Sequence, residues 1–210
     1  MPAARSPETD VRAAILTAAT RLFASHGFDG TVLQDIADAV GVSKPAVLHH
    51  FPSKEHIRGA VLDAIREHWN ATLPRLLLAA ASSPDVATGS LERFDVVFGE
   101  LVRFFAADPD RARILLRETL DRPEEMKRLL RRVLLPWITA VAQYVRVGRE
   151  AGRHHADVDD EAWVLQVIQL AVMATACGSV TSTLLGEGGR KRYDGELVRI
   201  ARSSLFPPAR

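Results

Sequence analysis

The hydrogen-bond donors Ser43, Lys44, His49, His50, Ser53 and Lys54 crowd into one short stretch of this chain. Hydroxyl, ammonium and imidazole groups gathered in this way suit phosphate oxygens and the edges of bases. Other groupings offer less. His49 and His50 are neighbours in sequence, and neighbours point to different faces of a helix, so they are not read as a metal pair. His154 and His155 with Asp157 and Asp159 lie in a short loop after Gly152, where turn and cap duties account for the aspartates. No Ser-His-Asp pattern, no helical His/Glu set at metal spacing and no Gly-rich phosphate loop is present. The expectation is a protein that is not an enzyme, with no cofactor and no metal.

The clustered donors need a scaffold, and helical periodicity supplies it. Val11, Ile15, Ala18 and Leu22 recur on one face, and Gly27 follows as a left-handed terminator. Thr31 is expected to cap a second helix, with Gln34 completing a capping box and Leu33, Ile36, Ala37 and Val40 forming the apolar face. Gly41 then makes a turn. Ser43 caps a third helix, Pro45 falls in its first turn, and Val42, Val47 and Phe51 face inward. Ser53 caps a fourth, longer helix through Ile57, Val61, Ile65 and Trp69, with a kink expected at Pro74. Two short helices about a Gly-centred turn form a helix-turn-helix, a shape whose usual use is to lay its second helix in the major groove of DNA.

The stretch GVSKPAVLHHFPSKEHI resembles the tetracycline-repressor (TetR) family of bacterial transcriptional regulators, as do Leu22-Phe23, Gly27-Phe28, Thr31, Ile36-Ala37 and Gly41-Val42 upstream. The likeness covers about residues 10–65. It implies an all-α protein of about nine helices. A three-helix DNA-binding domain at 8–54 would join, through a long fourth helix, a helical ligand-binding and dimerisation domain at 55–206. It further implies that Ser43–His50 enters the major groove, with Lys44, Pro45, Ala46 and Leu48 nearest the bases. His49, His50 and Lys54 would hold phosphates, aided by the N–H groups of the helices starting at Thr31 and Ser53, with Thr31 as a hydroxyl contact. Capping alone also accounts for Thr31 and Ser53, and the two roles are compatible. One departure stands out. The family usually carries Tyr where this chain has Leu48, which trades a phenol for an alkyl group that can touch a thymine methyl.

Charge constrains how such a reader works. The formal net charge of the chain is +1, and residues 1–60 hold six Lys/Arg against six Asp/Glu, so affinity must come from where the cations sit. With so few cations, specific binding calls for a homodimer that presents two recognition helices roughly 34–36 Å apart to a palindromic operator. Ala162–Gly186 carries no charge and is apolar nearly all round, which means burial on more than one side. Helices at about 160–186 and 190–204 are therefore expected to pair with their copies, through a small-residue row of Ala171, Thr175, Gly178 and Ser182. A membrane span in the same stretch is rejected because of Gln166, Gln169, its five Ser/Thr residues and the cations at 190–192.

By the family analogy the remaining helices enclose a cavity for an unidentified small-molecule inducer. Phe98, Leu101, Phe105, Trp137, Tyr144, Gln169 and Met173 are its candidate lining. Arg117 is a candidate for an anionic ligand, with Glu118, Asp121 or solvent as the competing partners. Aromatic and Met side chains at helical spacing also serve as plain core. A short tail at Met1–Pro7 and a loop at Ser82–Ser90 complete the outline. The single Cys177 and the absence of a hydrophobic leader lead to an expected cytoplasmic location. The function expected is a homodimeric repressor released from its operator by an inducer. Two rivals remain: a helical protein-interaction module without DNA binding, which the near-neutral N-terminal region and Leu48 keep open, and an all-helical enzyme.

Overall fold

Helix punctuation sets the element boundaries. A computed structural model describes residues 7–81 and 89–208; the expected tail and most of the Ser82–Ser90 loop lie outside the described residues. Within them the chain forms ten helices and no strand: α1 (Pro7–His26), α2 (Leu33–Val40), α3 (Lys44–His50), α4 (Lys54–Ala81), α5 (Gly89–Ala106), α6 (Pro109–Asp121), α7 (Pro123–Glu150), α8 (Asp160–Ala176), α9 (Gly178–Leu185) and α10 (Gly189–Ser203). Ser43, Ser53, Asp108 and Asp159 cap α3, α4, α6 and α8, each side-chain oxygen accepting a backbone N–H of the first turn. Gly41 adopts φ +76°, the left-handed conformation that a β-carbon would resist, and so turns the chain between α2 and α3. Helices α4 and α7 run through Pro74 and Pro136 without a break.

Two expectations need correction here. Thr31 does not cap α2. Val32 occupies that position, and Asp35 rather than Gln34 reaches back, its carboxylate accepting the Val32 N–H at 2.8 Å. The uncharged stretch is also not one helix, because α8 and α9 bend by 70° at Cys177, which makes the count ten rather than about nine. Partners far away in sequence satisfy the carbonyls that the break exposes. Arg190 donates to Ala174 O at 3.3 Å and Arg113 to Ala176 O at 3.3 Å. A β-carbon at Gly178 would lie 2.3 Å from Arg190 Nη1, so a larger residue there would make the Arg190 side chain shift.

Two apolar clusters organise the packing. The first gathers Ile15, Phe23, Ile36, Val47, Phe51, Ile57 and Val61 from α1 to α4, and closes with Ile114 of α6. The second gathers Trp69 of α4, the inner faces of α5, α7, α8 and α10, and Phe206 beyond the last helix. Ala171 and Thr175 belong to this interior and are buried within the subunit, so half of the expected small-residue row is turned away from any second copy. No single helix among the described residues is long and apolar enough to cross a membrane; the bent pair α8–α9 passes that test by length and composition alone.

Candidate nucleic-acid interface and ligand cavity

Helix α3 is held to the first core by Val47, which is fully buried, while Ser43, Lys44, Pro45, Leu48 and His49 are exposed and Ala46 and His50 are half-buried. One anchor and several outward side chains leave this helix presented to solvent along most of its length. The imidazoles of His49 and His50 meet edge to face at 5.4 Å. Among the described residues no group of three or more His, Cys, Asp and Glu could hold a metal ion.

Thr31 and Lys54 do other work than the resemblance implied. Thr31 is 0% exposed, and its hydroxyl donates to Gly27 O at 2.8 Å, so it closes the α1–α2 connection from inside. The Lys54 ammonium donates to the carbonyls of Phe28 and Thr31, both at 2.8 Å, and lies 4.2 Å from the centroid of the Phe28 ring. The starts of α2 and α4 also carry carboxylates of their own. Asp35 takes the Val32 amide at the first. At the second, the Glu55 carboxyl is held below its usual range by its own backbone N–H and by Ser53. These acids occupy the positive helix ends that an incoming phosphate would need.

Phe28 lies at a joint between the two clusters. Besides Lys54, the Arg122 guanidinium lies 4.6 Å and that of Arg58 5.9 Å from its centroid. Arg58 in turn donates to Glu118 of α6 at 2.8 Å and to Glu125 of α7 at 2.9 Å. Arg117, proposed from sequence as an anion ligand, is spent on the backbone of α1. Its guanidinium donates to Ala24 O at 3.1 Å and Ser25 O at 3.0 Å, capping the C-terminal end of α1. It thereby fastens α6 to the helix-turn-helix.

The opposite face of α6 borders empty space. A cavity of about 710 Å³ lies between α4, α6, α7 and α8, and Leu115, Leu116 and Thr119 contribute to its wall. Of the expected lining, Phe105, Gln169 and Met173 are found here. Phe98, Leu101, Trp137 and Tyr144 instead line a separate void of about 90 Å³, where burial raises the Tyr144 phenol above its ordinary pKa. Trp69 in the wall of the larger void meets Trp137 in that of the smaller edge to face at 5.6 Å. Sequence reasoning missed the contribution of α4: Leu62, Ile65, Arg66 and Trp69 all face the larger cavity. Their helical spacing was legible, but it looked the same as plain core.

The histidine pair after α7 ties down the C-terminal segment. His154 is buried with Nδ1 2.9 Å from Val145 O, between the rings of Tyr144 and Phe206, and burial pushes its pKa down. His155 uses its backbone N–H on Leu205 O and places Nε2 3.2 Å from Ser203 O.

An exposed short helix behind a Gly turn, on a three-helix core, is a helix-turn-helix unit, here joined to a helical body. Residues 15–61 match the family model for bacterial regulatory proteins of the tetR family. The match covers the helix-turn-helix unit, and in that unit the chain is similar to the family. It is 34% identical over 126 residues to the transcriptional regulatory protein RaaS of Mycobacterium tuberculosis, covering 58% of this chain and 57% of RaaS. To the transcriptional regulator RutR of Escherichia coli it is 50% identical over 60 residues, 29% of this chain and 28% of RutR. The chain thus matches little more than half the length of the first relative and under a third of the second. Both are named as regulators of transcription and neither as an enzyme. The fold extends further than the sequence likeness. A tetR-family regulatory protein from Rhodococcus RHA1 superposes with a TM-score of 0.72 at 22% identity, covering 98% of this chain and all of that one. The ketosteroid regulator KstR2 of Mycobacterium tuberculosis gives 0.71 at 17%, covering 94% and 95%.

Proposed function

We propose that this protein is a ligand-responsive repressor that binds a palindromic operator as a homodimer. The observation that carries the reading is the presentation of α3: a single buried anchor, Val47, with Lys44, Pro45, Leu48 and His49 exposed. Residues 8–54 carry the DNA contact and 55–206 the ligand and dimer functions. Ser43, Lys44, Pro45, Ala46 and Leu48 approach bases, and His49 and His50 approach phosphates. Thr31 and Lys54 leave this set, since both are committed inside the fold.

The second copy docks on the outer faces of α8, α9 and α10. Val180 and Leu184 of α9 and Ile200 of α10 are large, apolar and exposed, Leu184 at 78%. Release works as a population shift, in which ligand must bind better to a conformer whose two recognition helices are mis-spaced for successive grooves. Helix α6 joins α4 as a lever: Leu115, Leu116 and Thr119 meet the cavity, while Ile114, Arg117 and Glu118 grip the helix-turn-helix unit.

Gel shift and footprinting on DNA from beside its own gene test the reading. The wild type should protect two half-sites one helical turn apart, and Lys44→Ala should lose roughly 1–3 kcal/mol at one base position per half-site. A strictly monomeric protein that shifts no DNA overturns it.

A further inference from the structure

The wall of the larger cavity has a chemistry specific enough to name the kind of molecule it takes, given the reading above that this is the ligand site. Its surface is nearly all Leu, Ile, Val, Phe and Met, and among the described residues Arg66 is the only charged side chain on it. No Asp or Glu lines it, so a cationic ligand would find no counter-charge and would meet the field of Arg66. A body of hydrocarbon is suited to such a wall, and a volume of about 710 Å³ falls in the range of small-molecule sites.

The polar lining groups are few: Arg66 on α4, Thr119 on α6, and Gln166 and Gln169 on α8. Arg66 and Trp69 are three residues apart on α4 and so lie on one face, and both line the cavity. Trp69 is 4% exposed and its Nε1 is enclosed by the protein, so the indole gives the cavity an apolar face and Arg66 the charged group beside it. Thr119 offers no further donor, because its hydroxyl proton is used on Leu115 O at 2.7 Å. Arg66 contacts Asp63 through Nε at 3.2 Å and Nη2 at 3.1 Å, both on one oxygen of a carboxylate that is 64% exposed. A pair of that kind is weak, and the remaining guanidinium N–H groups stay available.

We infer that the cavity binds an amphipathic carboxylate, its chain among the leucines of α6 and α7 and its head received by the Arg66 guanidinium. Gln166 and Gln169 on α8 also line the cavity and would accommodate a second polar group on the ligand.

Titration calorimetry of the full chain, without DNA, tests this with three probes of equal chain length: dodecanoate, 1-dodecanol and dodecyltrimethylammonium, each below its micelle concentration. Dodecanoate should bind saturably and roughly tenfold or more tighter than the alcohol, and the ammonium should not bind. Arg66→Gln should reduce dodecanoate to the level of the alcohol and leave the alcohol unchanged, which also reports that the variant is folded. Equal affinities for acid and alcohol in the unmodified protein, binding of the ammonium as tight as the acid, or no binding by any probe overturns the inference. The acid-to-alcohol ratio decides the matter even where the variant does not fold. Because no DNA is present, failure here leaves the operator reading standing, and failure of the gel shift leaves this one standing.

Discussion

The helix-turn-helix unit is filled, and the body behind it is hollow. In the first, short helices interlock around Ile15, Ile36, Val47 and Ile57, all fully buried. In the second, helices border a cavity of about 710 Å³ that reaches the exposed side chains of Leu165, Leu170 and Met173 on α8. Close packing makes the helix-turn-helix unit rigid, whereas an unfilled apolar cavity leaves contacts that a ligand can supply. The joint at Phe28 and α6 lies between a part that resists deformation and a part that can adjust.

Substitutions that change volume test this contrast most strongly. Ile36→Ala should cost about 2–5 kcal/mol in urea unfolding, because the packed unit cannot collapse around the gap. Leu130→Phe, in the cavity wall, should cost about 1 kcal/mol or less, where a filled core would lose about 1–3 for the added volume. Equal penalties at the two sites would remove the distinction. Next in size is the fastening between the parts. Arg117→Ala strips the donors from Ala24 O and Ser25 O, and should cost about 1–3 kcal/mol while weakening the effect of ligand on operator affinity. Unchanged coupling in a ligand-titrated gel shift would take α6 out of the mechanism.

Lys54→Ala sharpens the boundary of the proposed DNA surface. It should lower the stability of the helix-turn-helix unit by about 1–2 kcal/mol through loss of two charged hydrogen bonds and a ring contact. Lys44→Ala, exposed, should leave the melting temperature unchanged and act on DNA alone. The smallest expected effect is a pH dependence in the C-terminal body. Burial holds His154 below its ordinary pKa of 6.5, so the fold prefers the neutral imidazole. That contribution is fully present above about pH 6.5 and is lost as pH falls, when folding must expel a proton the unfolded chain would bind. Between pH 7.5 and 5.5 the melting temperature should drop more for the wild type than for His154→Phe.

Local chemistry settled much of this molecule before any tertiary contact was known. Capping residues, internal apolar periodicity and the glycine at 41 place the helices of the reader, because each acts within a turn or two of itself. The same locality explains the errors. Thr31 and Lys54 were read as DNA contacts because hydroxyl and ammonium groups look free in a sequence; Lys54 is taken by carbonyls 23 and 26 residues away. Arg117 was assigned to a ligand for the same reason, yet its partners lie 92 and 93 residues upstream. The break at Cys177 depends on Arg113 and Arg190 reaching the carbonyls it exposes. Likewise no periodicity distinguishes an apolar residue that meets another side chain from one that meets a void, as Leu62 and Trp69 do. Which helix forms is a property of neighbours along the chain; which polar group is spent and where space is left depend on segments that only the folded body brings together.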